Sequence, residues 1–226
     1  MTGGCKHRAA VTVLLACVAG CVSPLVCADG PPRNRARQLE PETEYGPSAS
    51  EAYGTGYAFI ERAARFEQDA AAARDARSRN EARAGAKLAY EDALRAMEEA
   101  VRHDPRMYEA HTYIGYARRK HGQHDRALAA YEAALELKPD YARAIEYQGE
   151  AFLGLDRFEQ ARFNYQRLYA LDHEQANKLL NAMRRWAETR AREPGSVSRE
   201  TIAAAREWLN AQPHPGGDTA SIDTPW

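Results

Sequence analysis

Cysteine is missing from most of this sequence, because all four cysteines lie at or before residue 27. The remainder therefore has neither a disulfide framework nor a cysteine-based metal site. Long apolar runs are also scarce: the stretch at residues 9–20 is too short for a comfortable membrane span. An excess of positive charge is absent as well. With 31 Lys and Arg against 32 Asp and Glu, the formal net charge is −1, which argues against a dedicated nucleic-acid binder.

The short motifs of catalytic chemistry are absent too. The sequence has no glycine-rich phosphate loop, no GxSxG nucleophile turn, no HExxH and no CxxCH haem site. Glu146 and Glu150 lie four residues apart on one helix face, a spacing more typical of a solvated or ligand-facing surface than of a catalytic dyad. His121 and His124 have no third metal ligand nearby in sequence. We therefore predict no enzymatic activity, no cofactor and no metal site.

What the sequence does have is a pattern with a period of 34 residues. Each period contains a small residue, a large one four positions later and an apolar one three positions further on. This triplet occurs three times: Ala93, Met97 and Ala100; Ala127, Tyr131 and Ala134; Ala161, Tyr165 and Leu168. Each period predicts two short amphipathic helices around a turn, most clearly at 108–141, where Pro139 ends the second helix. One such pair cannot bury its apolar face alone, so the copies are expected to stack.

The pattern resembles the tetratricopeptide repeat family, over about residues 85–190. The middle repeat has the family's Ile114-Gly115, Ala127-x-x-x-Tyr131, Ala134 and Pro139. It departs at His111, where the family prefers Trp, and at Arg118, where it prefers Tyr. The resemblance implies an all-α, antiparallel helix-pair solenoid with two clear repeats and one or two degenerate ones.

The helical domain is predicted over residues 54–212. Repeats are expected near 74–107, 108–141 and 142–175, with C-terminal capping helices over 174–212. The first repeat is degenerate: we expect its first helix to end at a break near 78–80 and its second to begin near Glu81. In the last helix Ala204-x-x-x-Trp208 echoes the repeat pattern, which leaves a fourth degenerate repeat open. The composition of 29–53 predicts a disordered linker, and that of 213–226 a disordered tail.

Residues 1–28 are predicted to be an export signal, with a short positive start and an apolar run. Two cleavage sites compete, and an uncleaved anchor is a further alternative. The sequence ending at Cys21 resembles the lipobox of bacterial lipoproteins, in which the cysteine is lipidated, whereas the site after Ala28 resembles that of an ordinary signal peptidase. The first, which we favour, implies a periplasmic or outer-membrane-anchored lipoprotein, and the second a soluble periplasmic or secreted protein.

The family resemblance also implies a binding surface, because the first helix of each repeat lines a groove that receives peptides. Carried onto this chain, the lining comprises Thr112, Tyr116, Arg119 and Lys120, then Arg143, Glu146, Glu150 and Leu153, with Asn177 and Arg184 beyond. Chaperone-binding members clamp a C-terminal carboxylate with Lys and Asn. Thr112 and Tyr116 stand at the leading positions of that clamp, so this ligand is not expected.

These features favour a non-enzymatic scaffold of the bacterial cell envelope that binds a partner protein or peptide in the groove. Two alternatives use the same sequence features. One is an accessory or assembly factor for an envelope enzyme or secretion complex, and the other is a structural spacer without a peptide ligand. No nucleic acid is expected as a partner, and the membrane is expected to be contacted through a lipid on Cys21.

Overall fold

The fold is that of a computed structural model, which describes residues 47–212, and all regular secondary structure in that range is helical. The helices are α1 (Ala49–Ala72), α2 (Ala76–His103), α3 (Tyr108–Lys120), α4 (His124–Leu137), α5 (Ala142–Gly154), α6 (Phe158–Leu171), α7 (His173–Arg192) and α8 (Arg199–Asn210). They form successive antiparallel pairs, which confirms the predicted helix-pair solenoid. No helix within 47–212 combines the length and apolar character needed to cross a bilayer.

The first helix pair begins earlier than the sequence pattern predicted. α1 starts at Ala49, because the Ser48 hydroxyl accepts the Glu51 N–H at 3.2 Å and the Glu51 carboxylate accepts the Ser48 N–H at 2.7 Å. Residues 49–53 of the predicted linker are therefore helical. The break between the helices lies at 73–75 rather than 78–80, since Asp75 accepts the Ser78 N–H at 2.8 Å and caps α2.

The 34-residue period marks the core of the stack. Ala93, Ala127 and Ala161 are completely buried, and the large residues four positions later are at most 3% exposed. Gly115 allows its helix to approach the Tyr131 ring, since a Cβ at that position would lie 2.4 Å from a ring carbon. In the next repeat the equivalent glycine is Gly149. The space beside it is filled by Leu179 of α7, which belongs to the following helix pair, and not by a side chain of the pair that contains Gly149.

The repeats at 108–141 and 142–175 end their first helices with the same turn. Gly122 and Asp156, one period apart, have φ of 70° and 59°. In each case the next residue donates its N–H back to the carbonyl five positions earlier, at 2.9 Å in the first turn and 2.8 Å in the second. Asp tolerates this left-handed conformation better than most residues. Its carboxylate also accepts the indole N–H of Trp186 at 2.9 Å and the Arg190 Nε–H at 2.6 Å, which ties this turn to α7.

The last helix is capped as expected, but its core positions are shifted. Ser198 accepts the Thr201 N–H at 3.1 Å and starts α8. Ala204 is exposed, and Ala205 is the buried small residue, so the predicted match of Ala204-x-x-x-Trp208 to the repeat is wrong by one position. Trp208 is partly buried against the rings of Phe158 and Tyr165, with centroids 6.0 and 5.5 Å away.

The odd-numbered helices form one face of the stack. Neighbouring odd helices are in contact from α1 to α7, whereas α2, α4 and α6 lack comparable contacts with one another in the described chain. The closer packing of the odd-numbered helices is that expected of the concave side of a helix-pair solenoid. We call the surface of α1, α3, α5 and α7 the inner face.

Two glycine-to-alanine substitutions should act in opposite directions on stability. Gly115→Ala overpacks the crossing with Tyr131 and should lower the free energy of unfolding by about 1–3 kcal/mol. Gly54→Ala lies in α1 with nothing within 4 Å of the added Cβ, and should raise it by about 0.5–1 kcal/mol through better helix propensity. Urea unfolding followed by circular dichroism measures both. Equal stability of wild type and Gly115→Ala would contradict the close crossing.

Candidate functional site on the inner face

Tyrosine side chains cover the inner face from α1 to α5. Tyr57 lies against Tyr113 with ring centroids 5.4 Å apart, Tyr113 against Tyr116 at 6.4 Å, and Tyr116 against Tyr147 at 4.9 Å. Tyr53 joins the same row through Tyr57 and Tyr113. These separations are typical of packed aromatic pairs. The row is a continuous set of ring contacts in which Tyr113 is buried, at 3% exposed, and Tyr57 is the most accessible ring, at 38%.

A nearly dry ion pair joins α3 to α5 beside these rings. Arg119 Nη1 lies 2.7 Å from Glu150 Oε2, and the two side chains are 9% and 14% exposed. The guanidinium also lies over Tyr116 and Tyr147, 5.2 and 5.6 Å from the ring centroids. Because so little solvent reaches the pair, the removal of one partner would leave a charge uncompensated in a low-dielectric environment.

A second carboxyl, that of Glu146, is buried next to this pair. Glu146 is only 3% exposed. Burial and the neighbouring Glu150 carboxylate raise its pKa well above the usual range, against the opposing charges of Arg119, Lys178 and Arg143. The site therefore favours the neutral acid at this position.

A second ion pair joins α3 to α1. Lys120 Nζ lies 2.8 Å from Glu67 Oε1, with the side chains 12% and 19% exposed. Glu67 was missed by the sequence analysis because α1 lies upstream of the 34-residue pattern and carries no signal for register. The pair fixes the end of α3 against the degenerate first helix.

Between these elements lies a cavity of about 240 Å³. Its walls are Glu67, Arg119, Lys120, Gly122, His124, Glu150, Leu153, Gly154, Arg185, Trp186, Thr189 and Arg190. Burial and the charge of Arg119 lower the pKa of His124, so its ring is neutral at neutral pH. Among residues 47–212 no group of three metal-ligating side chains surrounds it or His121. The cavity is thus bordered by charged groups and by the apolar wall of Trp186 and Leu153.

The predicted lining residues have different places in the structure. Arg119, Lys120, Glu150 and Leu153 do border one cavity, while Tyr116 lies in the aromatic row beside it. Thr112 is completely buried, with its hydroxyl donating to the Tyr108 carbonyl at 2.9 Å, so its place in the lining is corrected. Glu146 is likewise too buried to line a groove.

The other predicted lining residues lie away from the cavity. Arg143 donates to the Tyr113 hydroxyl, Asn177 is exposed, and Arg184 is partly buried. Arg185, Trp186 and Arg190 were missed because they lie in the second half of α7, which has 20 residues against the 13 of α3 and of α5.

The family comparison agrees with this architecture. The sequence model described as Tetratricopeptide repeat matches residues 83–142 and 114–178, which extend from α2 to the beginning of α7. This part of the chain consists of tetratricopeptide repeats. Among proteins with curated descriptions, none matches the chain. Tetratricopeptide repeats generally act as non-enzymatic scaffolds that bind other proteins or peptides, and the match indicates this class of function.

The buried Glu146 predicts a pH-dependent effect on stability. Because its pKa is raised in the folded state, its contribution to stability is full below the unfolded value of 4.5 and is lost as the pH rises through the folded pKa. Glu146→Gln should therefore raise the free energy of unfolding at pH 8 and leave it nearly unchanged at pH 4. Denaturant unfolding at the two pH values measures this, with the exposed Glu132→Gln as the matched control. A loss of stability at pH 8 would contradict the assignment.

Proposed function

We propose that this chain is a scaffold of the bacterial cell envelope that binds another protein along its inner face. The observation that carries this is the unbroken row of tyrosines from α1 to α5, which ends at a charged cavity. Tyrosine combines a broad, rigid apolar ring with a polar hydroxyl, and is over-represented among residues that dominate binding energy. Tyr57 and Tyr116, which contact the buried Tyr113 and keep accessible surface themselves, suit an extended peptide segment of the partner.

The contact residues of this proposal are those of the inner face that keep accessible surface. Tyr57, Tyr116 and Arg143 supply rings and a guanidinium, and Lys120 and Glu150 supply charge at the cavity rim. Arg119 acts by positioning, since its pair with Glu150 and its stacking hold Tyr116 and Tyr147. Thr112 and Glu146 support the helices from within.

Site-specific photocrosslinking tests the inner face in living cells. The cross-linkable residue p-benzoylphenylalanine is placed at Tyr57 on the inner face or at Phe163 on α6, two exposed aromatic positions. We expect a covalent adduct with a distinct partner band from position 57 and not from position 163. The same band from 163 alone, or no band from 57 while the protein remains folded, would contradict binding on the inner face.

We further propose that the scaffold is exported and anchored through a lipid on Cys21. This residue lies outside the described range, so the proposal rests on the lipobox-like sequence ending at Cys21 and on the apolar run before it. The residues up to 47 would then join the lipid to α1. A partner in the envelope follows from that location.

Replacement of Cys21 tests the anchor. Cys21→Ser should release the protein from membranes or leave an uncleaved precursor, whereas the wild type should resist a high-salt wash because several acyl chains hold a protein firmly. Cys27→Ser is the matched control and should leave membrane association unchanged. Membrane fractionation with mass spectrometry of the N-terminus provides the measurement. A mature N-terminus at Asp29 would contradict lipidation and favour the soluble form.

A further inference from the structure

Positive charge converges on the cavity from two separate helices. Four of its lining residues are cationic, Arg119 and Lys120 from α3 and Arg185 and Arg190 from α7, against two carboxylates, Glu67 and Glu150. Asp156, just behind Arg190, adds a third carboxylate. Four positive charges less three negative ones leave an excess of one.

The ion pairs around the cavity account for three of its four cations and leave the excess positive charge on Arg185. Arg119 is paired with Glu150, Lys120 with Glu67, and Arg190 with Asp156, at 2.7, 2.8 and 2.6 Å. Within residues 47–212 the Arg185 side chain has no hydrogen bond or ion pair, although it borders the same cavity. Because carboxylates compensate the other three cations, an anion that enters the cavity would be attracted chiefly by the charge of Arg185.

A further observation concerns Arg119. It is more than nine-tenths buried, yet its Nε–H has no hydrogen-bond partner, and neither has Nδ1 of His124. Buried donors without partners are few in folded proteins. Both residues border the cavity, and the Arg119 Nε–H is a donor there that no protein acceptor among residues 47–212 satisfies.

We propose that this cavity binds a single oxyanion, carried by an acidic side chain of the partner, with Arg185 as its counter-ion. The inference rests on the proposed scaffold function and names the chemistry that the cavity recognises. The volume of about 240 Å³ admits a carboxylate with some water, given about 30 Å³ for one water in the liquid. Trp186 and Leu153 contact the apolar stem of the side chain, and the guanidinium of Arg185 receives the carboxylate.

This site differs from the carboxylate clamp of chaperone-binding relatives. Its cations lie at the C-terminal end of α3 and in the second half of α7. The leading clamp positions, Thr112 and Tyr116, hold no cation. The cavity would therefore receive a side chain from the middle of a peptide and does not require a chain terminus.

The test uses the full chain and three probes: acetyl-Glu-Glu-amide, acetyl-Gln-Gln-amide and inorganic phosphate. Binding is followed by NMR through the indole N–H of Trp186, which forms one wall of the cavity. The variant is Arg185→Gln, with Arg206→Gln, an exposed arginine of α8, as the matched control. Arg185→Lys, which keeps the charge, provides a second variant.

We expect the glutamyl probe, and not the glutaminyl probe, to shift the Trp186 signal in the wild type and in Arg206→Gln. Arg185→Gln should weaken that binding at least tenfold, Arg185→Lys by less, and added salt should weaken it in the wild type. Phosphate binding as tight as that of the glutamyl probe would support an oxyanion site but assign it to a free anion. No shift with either anionic probe, or an equal shift with the glutaminyl probe, would overturn the proposal.

This outcome is separable from that of the scaffold function. A crosslinked partner at position 57 together with silent probes would leave the scaffold and remove the oxyanion site. Specific binding of the glutamyl probe without a crosslinked partner would support the oxyanion site and contradict the scaffold function.

Discussion

No helix pair in this protein can bury its own apolar face, and the rest of the architecture depends on that shared burial. The requirement recurs every 34 residues, where an alanine leaves room and a large side chain four positions later fills it. Gly149 shows how far the sharing goes, because its space is filled by Leu179 of the next pair. The stack is consequently a sum of interfaces between neighbours, and the degenerate pairs at its two ends complete the last of them.

The same packing brings polar side chains into places with little water. Arg119 and Glu150 come from successive repeats and meet because their helices must be in contact. Two charges in such a place compensate each other but add little net stability, since both were better solvated in the unfolded chain. Their value is in position: they hold the tyrosine rings of the inner face, and Arg185 is left as the cavity's cation without a carboxylate partner among residues 47–212.

The sequence predicted the fold well and the site only in part, for physical reasons. Burial at Ala127 and Tyr131 repeats with the period, so a single chain suffices to detect it. The start of α1 depends on a two-residue cap at Ser48, a local signal that was overlooked among prolines and charges. The cavity depends on where α7 crosses α5. That crossing is set by three-dimensional packing and has no trace in sequence spacing, so Arg185 and Trp186 were missed while the buried Thr112 was included.

The turn at Asp156 limits how this array could be lengthened. A consensus glycine there would accept the backbone conformation more easily, but it would release both Trp186 and Arg190. A further repeat inserted between α6 and α7 would also separate the carboxylate from these two donors and leave a buried indole N–H without an acceptor. The stack is thus modular in its middle but closed at this end, and its number of repeats is tied to the identity of one side chain.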